Sequence, residues 1–329
     1  MYRGARLAAA DQAKSAMLHR MMGPAGVLLL AGCTIADVTV PPSEDRLVVE
    51  AVLRTDNLRQ AILLHRSVRD HTSVGEAGAE VVVTGPNGLR VVFEQTLDTC
   101  FAVSPGHEDA EVSVQGTCYA SPVSAGRWVQ PGQAYELRVR TARGEEARAR
   151  TVVPGAFEIR GIRTATRSDV REPACALPPQ TPLPLRWSPA AGAWGYLSPL
   201  TIFGLSSTLP ASYEPPDPLE LLGVSVSAAD TTLVLPGQFG VFERFDYNQA
   251  LLRELQRGLP DGTSARVLVA AADRNYINGV RGGNFNPSGQ VRISSIVGDG
   301  VGVFGSLVPL AFAVDVGAAP GTTPPCIAP

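Results

Sequence analysis

Apolar residues recur at every second position through much of this chain, and that period leaves room for little other than sheet. Ala134 to Arg140 (AYELRVR) sets Tyr135, Leu137 and Val139 against Glu136, Arg138 and Arg140, the pattern of a strand with one buried and one wet face. Ala147 to Val153 repeats the alternation, and the apolar runs Arg46 to Leu53, Gln60 to Leu64, Glu80 to Thr84 and Leu89 to Glu94 also read as strands. Gly85-Pro86-Asn87-Gly88 separates the third and fourth of these runs. Asn-Gly in such a place is a strong hairpin signal, because both residues accept positive φ. Pro131-Gly132 and Arg143-Gly144 supply further turns. The expectation is an all-β protein whose first domain, residues 46–154, is an immunoglobulin-like β-sandwich.

A domain boundary is expected at Pro154-Gly155. Past a proline-rich stretch from Pro173 to Pro189, strands are expected near Leu185–Trp187, Leu200–Phe203, Leu222–Val226, Thr232–Leu235 and Arg266–Ala271. One helix is written in: Asp246 and Gln249 make a capping box, Tyr247, Leu251 and Leu255 an apolar stripe, and Gly258 a stop. The 33 glycines and 27 prolines suit turns better than more helices. Residues 155–329 are therefore expected to form a second β-rich, sandwich-like domain with one short helix.

Leu30-Ala31-Gly32-Cys33 reads as a lipobox. His19 and Arg20 precede an apolar run from Met21 to Leu30, giving the n-region, h-region and small-residue cleavage pattern of an exported protein. The run is shorter than the roughly 20 residues a spanning helix needs. Residues 1–32 are thus expected to be a signal peptide, with Met17 or Met21 as alternative starts, and residues 33–45 a lipidated tether. A buried acyl chain contributes about 0.8 kcal/mol per methylene, and more than one chain gives stable anchoring. Thr34, where an aspartate would favour inner-membrane retention, points to the outer membrane, with the protein facing the periplasm or the cell surface.

Removing Arg3, Arg6, Lys14, Arg20 and Asp11 with the signal takes the net charge from −3 to −6. That balance argues against nucleic acid or an anionic lipid surface as partner. Lys14 is the only lysine, so the mature chain has no Schiff-base or phosphate-loop lysine. Cys100, Cys118, Cys175 and Cys326 remain after lipidation, an even number in an oxidising compartment. Three pairings are open, with Cys100–Cys118 and Cys175–Cys326 favoured. No CxxC pair and no histidine at ligand spacing suggests a metal there.

The remaining motifs have bland readings beside sharp ones. Gly300-x-Gly302-x-x-Gly305 spells a dinucleotide fingerprint, but Pro309 follows where a helix should open, so a glycine-rich strand or bulge is expected. His65, His71 and His107 lack a G-x-S-x-G partner and are expected at the surface. Asp273, Asn275 and Asn278, with Asn284 and Asn286 beyond them, bring oxygens suited to calcium, or simply turn-forming side chains. Trp128, Trp187, Trp194 and Tyr196 could line a sugar-stacking platform or belong to the core.

Three stretches carry a resemblance: Arg46-Leu47-Val48-Val49-Glu50-Ala51; Ala79 to Val83 with Tyr135 to Val139 and Thr151-Val152-Val153-Pro154; and the glycine-rich ending from Ile293 to Gly305. Together they resemble the domain-of-unknown-function bacterial lipoproteins encoded beside TonB-dependent outer-membrane receptors. Ser295 stands where that family usually has asparagine, and the proline-rich segments 173–189 and 209–218 depart from it. The resemblance implies a β-rich exoprotein that works with an outer-membrane transporter, and it supplies no catalytic residue. The expected role is non-catalytic and cofactor-free: a membrane-anchored binding or accessory subunit, partnering a TonB-dependent receptor in nutrient or glycan capture. The alternatives are a periplasmic structural subunit of an inner-membrane respiratory or photosynthetic complex, and a secreted hydrolase with an unrecognised carboxylate site.

Overall fold

A computed structural model describes residues 45–67, 74–97, 100, 116–166, 172–225, 227–236, 249–281, 293–318 and 323–327. The first half supplies β1 (Leu47–Arg54), β2 (Ala61–Arg66), β3 (Glu80–Thr84), β4 (Arg90–Thr96), β5 (Thr117–Ala120), β6 (Ala134–Arg140) and β7 (Glu146–Val152). The second opens with β8 (Ile159–Arg160), β9 (Ala174–Leu177), β10 (Leu183–Trp187), β11 (Gly195–Phe203), α1 (Leu205–Thr208), β12 (Leu219–Val224) and β13 (Thr232–Leu235). It closes with α2 (Gln249–Leu255), β14 (Ser264–Ala272), α3 (Arg274–Arg281), β15 (Ile296–Gly298) and β16 (Gly300–Val316). The all-β expectation holds at this level.

Alternation in the sequence becomes alternation in burial. β6 and β7 pair antiparallel with Leu137 opposite Ala149, and β1 buries Leu47, Val49, Ala51 and Leu53. At the tip between β3 and β4, Asn87 and Gly88 take φ of 56° and 75°. The peptide N–H of Leu89 closes the turn on the Pro86 carbonyl at 3.1 Å. The Asn-Gly signal is thus read as written.

One large mixed sheet runs β12-β11-β14-β16-β1-β2-β5-β4-β3-β6-β7-β15, with β9 also beside β16, and a small sheet runs β13-β10-β8. β4 passes the sheet along: Arg90 to Phe93 pair with β3, while Glu94 to Thr96 pair with β5. β16 joins the halves. Its start lies parallel to β1, with Leu47 opposite Gly300, and its later part lies antiparallel to β14, with Val267 opposite Phe312. All described residues accordingly belong to one compact unit, and the sheet continues past the boundary expected at Pro154-Gly155 through β15 and β16. One core cluster reaches from Leu47 and Tyr135 to Trp187, Tyr196 and Phe312.

Pro309 fits inside β16 because β1 ends opposite Leu307 and β9 begins opposite Ala313. The proline falls in the gap between them, where that edge asks for no ladder N–H. The glycines of this strand serve close approach. At Gly302 (φ 127°) an added Cβ would run into the Val49 carbonyl, and at Gly305 it would lie 2.8 Å from Tyr276 Cβ on α3. From the other side, a Cβ on Gly279 would lie 2.7 Å from Val303. The Gly300, Gly302 and Gly305 pattern is thus a strand on which α3 rests, with no helix opening at it.

The expected helix is present as α2, with Leu251 and Leu255 buried and the Gly258 N–H on the Leu255 carbonyl at 3.0 Å. Asp246 of the expected capping box and Tyr247 of the expected stripe lie outside the described residues. The expectation of a single helix is corrected by α3 and the single turn α1.

Beside the start of β1, a buried arginine takes three acids. Arg66 donates Nε to Asp45 at 2.7 Å, both Nη nitrogens to Glu145 at 2.8 and 3.0 Å, and Nη1 to Glu76 at 3.4 Å. The Arg66 hydrogen bonds hold the Glu145 and Asp45 carboxyls below their usual range. These contacts tie the start of β1 and the end of β2 to the β6–β7 turn.

Candidate functional site

Cys33 lies outside the described residues. The four remaining cysteines pair as Cys100–Cys118 and Cys175–Cys326. The second bond holds the C-terminal tail against β9, where the Cys326 N–H meets the Ala176 carbonyl at 2.9 Å.

The expected aromatic platform does not assemble. Trp128, Trp187 and Tyr196 are buried; Trp128 packs edge-on to Tyr135 at 5.5 Å, and Trp187 to Tyr196 at 5.3 Å. Large rings at strand-facing positions contribute most when removed from water, and the core takes them. Trp194 alone stays exposed, at 47%, with the Arg274 guanidinium 5.3 Å from its ring centroid.

The calcium candidates belong to a helix start. Asp273 caps α3: its Oδ1 accepts the Tyr276 N–H at 2.9 Å and the Ser306 N–H at 3.1 Å, and its Oδ2 accepts the Thr151 hydroxyl at 2.6 Å. The Ser306 hydroxyl lies 2.8 Å from that of Thr151. Asn275 turns donors, not oxygens, to its surroundings, its Nδ2 meeting the Arg150 and Phe304 carbonyls at 2.8 and 2.9 Å. Asn278 lies half-buried on α3, and Asn284 and Asn286 lie outside the described residues. Among the described residues no three His, Cys, Asp or Glu side chains are placed to hold a metal. Burial pushes the Asp273 carboxyl above its usual range, against the pull of the Thr151 hydroxyl and backbone N–H groups. The node ties β7, β16 and α3 together. An Asp N-cap three residues before Tyr276, with Tyr276, Ile277 and Val280 at helical spacing, was its sequence signal.

His65 is corrected from surface to interior. It is buried on β2, with Nδ1 2.7 Å from the Arg66 carbonyl and Nε2 3.9 Å from Glu50. His71 and His107 lie outside the described residues.

The site that the structure does assemble is the outer face of β3, β4, β6, β7 and β15. Register stacks it in cross-strand rows. One row reads Val92, Val82, Arg138, Arg148, Val297; the next holds Arg90, Thr84, Glu136 and Arg150. Together with Glu80 and Ser295, all of these residues except Val92 line a concavity of about 700 Å³. Arg138 and Arg148 stand directly opposite each other, a like-charge pair that costs stability unless an acid intervenes. Glu146 intervenes: one of its oxygens takes Arg138 Nε at 2.7 Å and Arg148 Nε and Nη2 at 2.9 and 2.8 Å. The Arg148 and Arg138 hydrogen bonds pull the Glu146 carboxyl below its usual range. Arg90 lies 3.5 Å from Glu80, and Val297 is 71% exposed.

This face went unremarked in the sequence, although the alternation of AYELRVR and EARARTV already puts its arginines on one side. Register was the missing piece, because it decides which arginine faces which acid. A smaller hollow of about 130 Å³ opens among Leu197, Pro199, Leu222, Leu268 and Tyr276 on the other half of the sheet. Burial pushes the Tyr276 hydroxyl there up to about 12. No described helix is long and apolar enough to cross a membrane. No family model matches the chain, and no curated protein matches it.

Proposed function

We propose that this protein is a lipid-anchored, non-catalytic binding or accessory subunit on a bacterial outer membrane, partnering a TonB-dependent receptor in nutrient or glycan capture. The observation that carries the reading is the pairing of an acylation signal at Cys33 with a concave, mixed-charge sheet face on a disulfide-pinned frame. Arginines held in fixed orientation on such a face are what a protein interface uses for orientation and selectivity. A lipid anchor confines the search for a membrane partner to two dimensions, so a modest interface is enough for high occupancy. The Arg66 clamp supports the same picture by fixing Asp45, just before β1, to the frame. We also read residues 46–154 as an immunoglobulin-like sandwich, supported by the way β4 passes between β3 and β5, and residues 155–329 as a second sandwich-like part that shares its core.

The test is affinity purification of the tagged protein from gently solubilised membranes of its host. A stoichiometric outer-membrane receptor in the eluate supports the reading, and an inner-membrane complex reassigns the protein to that assembly. Elution alone removes the subunit role. Fractionation of Cys33→Ala checks the anchor separately: the variant leaves the membrane pellet, and retention there would overturn lipidation.

A further inference from the structure

The arginine face carries a charge opposite to that of the chain that bears it. Four arginines and two glutamates line the concavity, while the mature chain is at −6. The arginines are not a uniform basic patch. Glu80, Glu136 and Glu146 alternate with them, so a polyanion of even charge density meets three carboxylates beside the four guanidinium groups. A flat bilayer does not enter a concavity, and among the described residues no aromatic side chain lines it for sugar stacking. An extended polypeptide matches the spacing. Arg148 and Arg150 are two residues apart on β7 and face the same side. The repeat of about 6.6–6.8 Å between them is also the repeat of same-face side chains along any strand laid over the sheet.

The groups are prepared for carboxylates. Glu146 engages Nε and Nη2 of Arg148 and Nε of Arg138, which orients both planes. The Nη1 of Arg148 and both Nη nitrogens of Arg138 are left without a partner among the described residues. Arg150 forms no ion pair with a described carboxylate. Arg138 and Arg148 are 51% and 66% exposed, and the exposed Val92 and Val297 flank them with apolar surface. Fixed guanidinium groups bind carboxylates with less entropy lost per hydrogen bond.

We propose that this face receives an extended acidic segment of a protein partner, with carboxylates two residues apart read by Arg148 and Arg150 and steadied by Arg138. The inference rests on the accessory-subunit reading and specifies the chemistry of the partner.

The experiment uses full-length protein in mild detergent and a fluorescein-labelled decapeptide of alternating Glu and Ser, followed by anisotropy at low and physiological salt. The expected result is saturable binding that weakens with salt and falls about tenfold or more in Arg148→Gln/Arg150→Gln. A peptide of equal charge with its glutamates spaced three apart binds several-fold more weakly to the unmodified protein, which reads the spacing without any variant. Melting curves that coincide for variant and parent show that the double variant is folded. Equal binding of the two spacings overturns the strand register. Equal binding to parent and variant overturns the site. Preference for oligogalacturonate or for phosphatidylglycerol vesicles, lost in the variant, reassigns the face to a uronate glycan or to lipid. Receptor co-purification with the double variant would remove this face and leave the subunit role standing, whereas elution of the parent protein alone removes that role whatever the peptide does.

Discussion

Two polar centres hold this sheet together, and they are built in opposite ways. At the Asp273 node one carboxyl sits almost without water and without a cation, satisfied by a hydroxyl and peptide N–H groups from β16 and α3. At the Arg66 clamp one cation gathers three carboxylates, of which Glu145 and Asp45 keep partial contact with water. Burial decides the first and charge pairing decides the second, so the two carboxyl sets move in opposite directions from their ordinary range. The lesson is that a buried acid need not be an ion-pair member; dipoles alone can position it when three elements converge on it.

The largest effect should come from emptying the node. Asp273→Ala leaves the Tyr276 and Ser306 peptide N–H groups unpaired in the interior and the Thr151 hydroxyl with Ser306 Oγ alone, each unmade bond costing about 1–3 kcal/mol. A loss of about 3–4 kcal/mol is expected from urea unfolding at unchanged m-value. A loss under about 1 kcal/mol would mean that the node does not join the halves. Asp273→Asn keeps an acceptor at the cap and should lose roughly half as much.

Next comes the clamp. Arg66→Met strands Glu76 and Glu145 without their cation. Breaking a fully buried pair costs about 3–5 kcal/mol, and the water that reaches Glu145 lowers this to roughly 2 kcal/mol at neutral pH. Adding Glu145→Gln should recover part of it, and strict additivity of the two changes would show that they do not share a network.

Acid should separate the centres by sign. The folded pKa values of Glu145 and Asp45 are depressed, so their stabilisation is present above the unfolded value near 4 and is lost as pH falls through the folded values. The advantage of the parent over Arg66→Met should therefore shrink below about pH 4. The folded pKa of Asp273 is raised, so its contribution is complete below about 3.9 and is lost as pH rises through the folded value. The parent should thus lose ground to Asp273→Asn as pH climbs from that point. Parallel pH profiles for the two variants would erase the distinction.

The smallest effect is expected at the exposed face. Arg148→Gln removes a surface ion pair and should move the melting temperature by no more than about 1 °C. A larger shift would make the arginine rows structural elements and weaken their reading as a binding surface.

Much of the fold was legible because strand periodicity is local. β3, β6 and β13 begin and end where alternation and turn residues place them. β5 and β9 were not legible as strands, because Thr117 to Ala120 and Ala174 to Leu177 are too short to show a period, and of the 17-residue β16 only the glycine-rich start at Gly300 to Gly305 was expected. α3 was masked by asparagines that look like loop formers until Asp273 is seen capping it. For the site, the favoured disulfides were the legible part, while the aromatic and calcium candidates dissolved into core and helix cap.

The sequence by itself determined which faces of β6 and β7 are wet, where the chain turns at Asn87-Gly88, and that residues 33–329 are acidic and free of lysine. These follow from residue chemistry and from backbone geometry over a few positions. Only the tertiary structure decided that Leu47 meets Gly300, that one strand serves both halves, that Thr151 and Ser306 close on Asp273, and that Arg138 faces Arg148 across Glu146. Each of those depends on which edges and faces dock across long stretches of chain, and pairing at such range leaves no spacing signature to read.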